Sequence, residues 1–257
     1  MPISRYWSYV IRTVLGFCPS GALTMPFCSM ISISFAALPK PSESLRWISE
    51  VDILNLLRSS RTKMAFEFRK CFIEGLYEVQ PKVFGDNRGY FFEVYSEKDF
   101  FEAGLCMKFV QDNQSSSSKG VLRGLHFQTK HPQGKLVRAV EGKVYDVAVD
   151  LRNGSPTFGK YYGVVLDAEK QNQFYIPEGF AHGFYVLSEH AVFAYKCTDF
   201  YHPEDEGGIM WNDATVGIEW DKIAPGLEPL LSEKDKKHPS FSTSEKYFDL
   251  NAKWIGK

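Results

Sequence analysis

The chain has 257 residues, 44% apolar and 24% charged, which is ordinary globular composition for one large domain or two small ones. Thirty basic residues against 31 acidic ones leave a net charge of -1. That balance gives no reason to expect nucleic acid or a membrane surface as the main partner, though a local basic cluster can still grip a small anion.

Five scattered cysteines, Cys18, Cys28, Cys71, Cys106 and Cys197, include no CxxC pair. This argues against a disulfide framework or a zinc site and for free buried thiols. An aromatic share of 15% favours strands and supplies flat surfaces for stacking ligands.

In chain order, the first sixty-odd residues read differently from the rest. "GALTMPFCSMISISFAALPKPSES" is an apolar stretch broken by Pro26, with Arg5 and Arg12 ahead of it. The turn signals in "GFCPSG" interrupt it, so it makes a poor signal peptide and a poor transmembrane helix. The expectation is that residues 1–63 are a poorly ordered leader or an extension upstream of the natural start at Met64. An organelle signal is the lesser reading. Residues 64–257 are expected to form the folded domain.

From Leu76 onward, short β-branched and aromatic runs alternate with turn residues: "GYFFEVY", "KLVRAV", "KVYDVAVDL", "YYGVVL", "FAHGFYVL", "AVFAYKCTDFY". Spacing near ten residues with Gly, Asn, Asp and Pro punctuation predicts an all-β sandwich or barrel. A short helix is predicted over Ser96–Ala103, with a serine N-cap, an acidic first turn and a glycine stop. Another is predicted to begin near Ser232. The "QSSSSKG" tract, Gln114–Gly120, reads as a mobile loop between strands.

Side chains alternate along a strand, so Gly124, His126 and Gln128 share one face of "RGLHFQ". Asp146 shares a face with Val144 and Ala148, which implies an edge position or a buried group with a partner. Phe193, Tyr195 and Cys197 share another face. "GLHFQ", then Glu141–Gly142, then Pro177-x-Gly179-x-x-His182 resemble the two-motif layout of the cupin jelly roll. In metal-binding cupins the matching positions hold histidines and a glutamate. Here they hold His126, Gln128, Lys135 and His182. An ammonium repels a divalent cation and an amide is a weak ligand, so no metal is expected.

The motifs "KVFGDNRGYFFEVY", "FVQDNQSSSSKGVLRGLHFQ", "QGKLVRAVEGKVYDVAVDLRNGSPTFGKY", "IPEGFAHGFYVLSE" and "YKCTDFYHPEDEGGIMWND" together resemble the dTDP-4-dehydrorhamnose 3,5-epimerase family. The match runs collinearly from about Val79 to Asp235. The resemblance implies a cupin-like jelly-roll β-sandwich with a few short peripheral helices. It implies a cytoplasmic sugar-nucleotide epimerase without metal or cofactor, usually a homodimer, acting on a dTDP-sugar.

Epimerisation beside a ketone needs a base on one face, a proton donor on the other and a stabiliser for the enolate oxygen. His126 suits the base, Lys135 supplies fixed positive charge, and Tyr195 suits the donor. The resemblance assigns His126 as base and Tyr195 as acid, and makes Asp235 the carboxylate that orients the histidine. It places Arg88, Phe91, Glu93, Gln111, Asn113, Arg123, His182 and Tyr201 around the substrate. Arg88 and Phe91 are expected to serve a neighbouring subunit's site.

Blander roles stand beside these. His182 can be a core histidine bonded to Asp146, Tyr195 a core aromatic and Arg88 a hairpin cap. His131, His190, His202 and His238 read as surface. A single-carbon epimerase, a 3,4-ketoisomerase and a non-catalytic sugar-nucleotide-binding cupin are the competing functions.

Overall fold

The structure, a computed structural model, describes residues 65–243 and 248–249. The expected leader, residues 1–63, and the start at Met64 lie outside the described residues.

The strands are β1 (Phe66–Lys70), β2 (Tyr77–Pro81), β3 (Phe84–Asp86), β4 (Gly89–Phe91), β5 (Gln111–Ser118), β6 (Leu122–Gln128), β7 (Lys135–Glu141) and β8 (Lys143–Asp150). They continue with β9 (Arg152–Asn153), β10 (Tyr161–Asp167), β11 (Gln173–Ile176), β12 (Phe180–Val186), β13 (His190–Cys197), β14 (Glu206–Gly208) and β15 (Phe248–Asp249). One sheet has the order β1-β2-β11-β7-β13-β5 and the other β10-β8-β12-β6-β14. Consecutive strands from β5 to β8 alternate between the two sheets, as do β10 to β14. This is the expected all-β jelly-roll sandwich, with short helices at Glu97–Glu102 and Trp220–Ile223.

Period-two alternation decides three apolar layers. Val137 and Ala139 of β7, Phe174 of β11 and Phe193 of β13 meet Val144, Ala148, Phe180 and Phe184 of the other sheet between the sheets. The opposite-facing residues Leu125, Phe127, Val147, Val149 and Tyr185 pack outward under Ile209, Trp220 and Phe248. On the far side of the first sheet, Phe66, Val79, Leu136 and Tyr175 pack under Phe100. Phe100 comes from the predicted helix, where Ser96 Oγ accepts from Asp99 N as N-cap.

Two expectations fail. The tract Gln114–Gly120 is not a loop: Gln114–Ser118 is most of β5, in unbroken register with β13 from Gln111↔Cys197 to Ser118↔His190. Its inward residues Gln111, Asn113, Ser115 and Ser117 are polar, so no apolar alternation marks the strand. In place of the helix predicted near Ser232 stands a 3-10 turn, Asp235–Lys237. Ser232 caps it at 3.1 Å from Asp235 N, and Pro239 stops continuation.

Candidate active site

The inward faces of both sheets change character at one end of the sandwich, where titratable side chains replace apolar ones. His126 faces inward from β6, with Leu125 and Phe127 anchored in the outer layer. β6 lies unusually close to β12: Gly124 adopts φ +133°, and a Cβ there would come within 2.5 Å of Gly183 Cα. This approach sets His126 opposite His182.

His126 Nε2 stands 2.6 Å from Asp235 Oδ1. Asp235 is buried, and its Oδ2 accepts from Ser232 Oγ at 2.8 Å. Burial pushes the Asp235 carboxyl up, but His126, His238 and Ser232 outweigh it and hold the group well below the usual carboxylate range. The expected pairing of Asp235 with His126 is therefore present.

Lys135 begins β7 and is half-buried. It lines one crevice with His126, Gln128, Gln133, Ile176 and His182. Among the described residues its ammonium has no hydrogen bond or ion pair. Burial lowers its pKa, opposed by Cys197, Asp146 and Glu206. His182 Nε2 meets Asp146 Oδ2 at 2.8 Å, and Asp146 is fully buried. Burial pushes the Asp146 carboxyl up and the imidazole down, toward a pair with little net charge. His182 is thus both bonded in the core and on the crevice wall.

Tyr195 lies inward on β13, and Lys135 Nζ is 5.9 Å from its ring centroid. Burial raises the phenol's pKa. β5 lines the same region. Gln111 Nε2 donates to Asn113 Oδ1 at 3.0 Å, Asn113 Nδ2 lies 3.6 Å from Cys197 Sγ, and Arg123 donates to Ser117 Oγ at 3.1 and 3.2 Å. Gln111 Oε1 accepts from Tyr201 N at 3.0 Å. Gln111, Asn113, Arg123 and Tyr201 therefore gather beside Tyr195.

The strand reading missed Glu206 and Lys234. Glu206 accepts from Tyr201 OH at 2.6 Å and pairs with Lys234. That hydrogen bond pushes the Tyr201 phenol up to about 12. Neither residue carries a local signal; the β6–β14 pairing brings Glu206 opposite Gln128. Gln128, read as a failed ligand, ties loops together instead. Its amide donates to His131 O at 2.6 Å and Phe200 O at 3.1 Å, and accepts from His202 N at 2.7 Å.

Arg88, Phe91 and Glu93 are not brought to this site. Arg88 and Phe91 sit on the exposed β3–β4 hairpin, with Glu93 just beyond it. Arg88 is paired with Asp86 in the manner of a hairpin cap, with Nη2 2.6 Å from Oδ2. His131, His190 and His202 are partly exposed as expected, but His238 is not a surface residue. Its side chain is 9% exposed, and Met210 N donating to Pro239 O at 2.8 Å holds its segment down.

His126, Asp235 and His238 have donor atoms within 4.8 Å of one another, which prompts the question of a metal. The 2.6 Å separation of His126 and Asp235 is that of a charge-assisted hydrogen bond. Ligands at about 2.0–2.1 Å around a tetrahedral zinc stand roughly 3.3 Å apart. The geometry is that of a shared proton.

A family model described as dTDP-4-dehydrorhamnose 3,5-epimerase matches residues 70–243. The dTDP-4-dehydrorhamnose 3,5-epimerase of Pseudomonas aeruginosa is 56% identical over 167 residues, covering 65% of this chain and 91% of that protein. The structure is similar to the crystal structure of the dTDP-6-deoxy-D-glucose-3,5-epimerase of Legionella pneumophila in complex with dTDP-4-keto-L-rhamnose. The TM-score is 0.70 at 47% identity, over 73% of this chain and 100% of that one. It also resembles a 3'-monoepimerase from Streptomyces bikiniensis in complex with dTDP-quinovose, with TM-score 0.65 at 33% identity over 69% and 89% of the two chains. With this match over most of the described residues, the chain belongs to the dTDP-4-dehydrorhamnose 3,5-epimerase family.

Proposed function

We propose that the chain inverts C3 and C5 of dTDP-4-dehydro-6-deoxy-D-glucose, in dTDP-L-rhamnose synthesis. The protein is an isomerase. The observation that carries the mechanism is the Lys135 ammonium: half-buried, unpaired among the described residues, and beside both the His126–Asp235 pair and Tyr195. A half-buried cation without a partner is costly, and an anion formed during turnover offsets that cost.

With Nε2–H donated to Asp235, His126 offers Nδ1 as base to the hydrogen beside the C4 ketone. Electron density then moves onto the C4 oxygen, which Lys135 steadies. Tyr195 returns a proton from the opposite face, which inverts the carbon. Solvent then takes the proton from His126 and restores the Tyr195 phenol, and the same cycle at the second carbon completes the reaction. The raised Tyr195 pKa keeps the phenol protonated and ready to donate. Each proton moves through His126, Tyr195 and solvent, and activity is expected to survive exhaustive chelation.

Arg123, Gln111, Asn113 and Tyr201 form the nucleotide side of the site in this reading, with Glu206 and Lys234 beside them. Arg88, Phe91 and Glu93 complete the site of a second copy in a homodimer. Supporting this, Phe84, Tyr90 and Phe91 are 53%, 64% and 69% exposed on one hairpin. Among the described residues no helix is long and apolar enough to cross a membrane; a cytoplasmic location remains part of the proposal.

Turnover in heavy water tests the reading. Deuterium at both C3 and C5 is expected. Label at one carbon would instead place the chain with the 3'-monoepimerase it resembles. Conversion to a 3-keto sugar would mark a ketoisomerase, and tight binding without exchange a binding protein.

A further inference from the structure

The mechanism leaves one buried imidazole unused. His238 Nε2 is buried without a hydrogen-bond partner. It lies 3.6 Å from Asp235 Oδ1, the same oxygen that His126 Nε2 contacts at 2.6 Å. That separation is beyond a hydrogen bond but close enough for a strong charge–dipole contact. The two rings stand edge to face with centroids 5.4 Å apart. The His238 ring is seated on Gly208, where any Cβ would collide with it, and Gly208 is the β14 residue paired with His126. One strand position thus fixes both imidazoles around one carboxylate.

An anionic oxygen lies 3.6 Å from His238 Nε2, so the tautomer with hydrogen on Nε2 is the favourable one. We propose that His238 is a positioning residue, whose Nε2–H draws on the charge of Asp235 Oδ1 and so limits the carboxylate's pull on His126, keeping the base free of its proton. The proposal rests on His126 being the base. Other groups face the pair from the surrounding elements: His182 on β12 with Asp146 on β8, Lys135 on β7, Tyr195 on β13, and Glu206 on β14 with Lys234. Ser232 binds the other carboxylate oxygen. Of these groups, only the two imidazoles share Oδ1.

The test is the pH dependence of kcat/KM in the full-length enzyme, whose acid limb reports proton uptake by the His126–Asp235 pair. His238→Phe should move that limb upward by about one pH unit. His238→Gln, which keeps an N–H donor, should leave it within a few tenths of wild type. No shift in His238→Phe, or equal shifts in both variants, would overturn the proposal and leave His238 a packing residue. Should His238→Phe not fold, nitrogen NMR of the wild-type ring decides: hydrogen on Nε2 supports the role, hydrogen on Nδ1 alone overturns it. His126→Asn separates the two readings. Inactivity keeps His126 as base whatever the His238 variants do, and full activity overturns the base assignment and this proposal with it.

Discussion

His126 shows how little a single position reveals. A histidine on a strand is usually a core or surface residue, and what makes this one reactive is Asp235, 109 residues away, at 2.6 Å. His126→Ala should lower turnover by roughly 10²–10⁴, with dTDP affinity by calorimetry little changed. Lys135 carries a sharper expectation, because its charge is half-buried without a partner among the described residues. Lys135→Met should lose about 10²–10³ in kcat while the melting temperature stays level or rises. A residue tuned for catalysis costs the fold stability, and its apolar replacement returns some. A falling melting temperature would show that Lys135 has a structural partner.

At the level of elements, the faces of β6, β8 and β13 followed directly from alternation. His126 and Gln128 share the crevice wall, while Gly124 is turned against the β12 backbone; Asp146 shares the layer of Val144 and Ala148; Phe193 and Tyr195 lie together. β5 was not legible because its inward face is polar for function, and polarity at period two looks like a loop. The turn at Asp235 was legible locally only as a helix start and entered the site only through the family resemblance, since its register on β6 is a tertiary contact. The β6–β12 approach gives another expectation. A Cβ on Gly183 would come 2.7 Å from Arg123 O and 2.9 Å from the Leu125 side chain. Gly183→Ala should therefore cost about 1–3 kcal/mol in chemical denaturation and reduce activity by pushing His126 away from Asp235.

For the whole molecule, carboxylates tie the C-terminal segments to the sandwich. Asp235 serves β6, Asp213 accepts from Phe241 N at 2.8 Å, and Asp205 accepts from Thr129, Lys130 and His131. In each, burial alone would raise the pKa, but hydrogen bonds depress it below the ordinary value. A depressed folded pKa contributes stability above the unfolded value of about 3.9. That stability is lost as pH falls toward the folded pKa. The urea midpoint should therefore hold above pH ~4.5 and fall below pH ~4, and Asp213→Asn should flatten the fall.

The proposed dimer is tested by mixing inactive subunits. His126→Ala and Arg88→Ala, refolded together, should recover about one quarter of wild-type activity if Arg88 acts across the interface. No recovery would confine Arg88 to its own hairpin.

The residue sequence by itself determined most of the strands other than β5, their faces and the chemical kit, because alternation and side-chain chemistry are local properties. It also determined, through collinear motifs, which reaction that kit resembles. Tertiary structure alone decided how close His126 comes to Asp235, that Glu206 holds Tyr201, and that His238 lies inside against Gly208. Each depends on strand pairing or chain packing between residues distant in sequence, which no local pattern encodes.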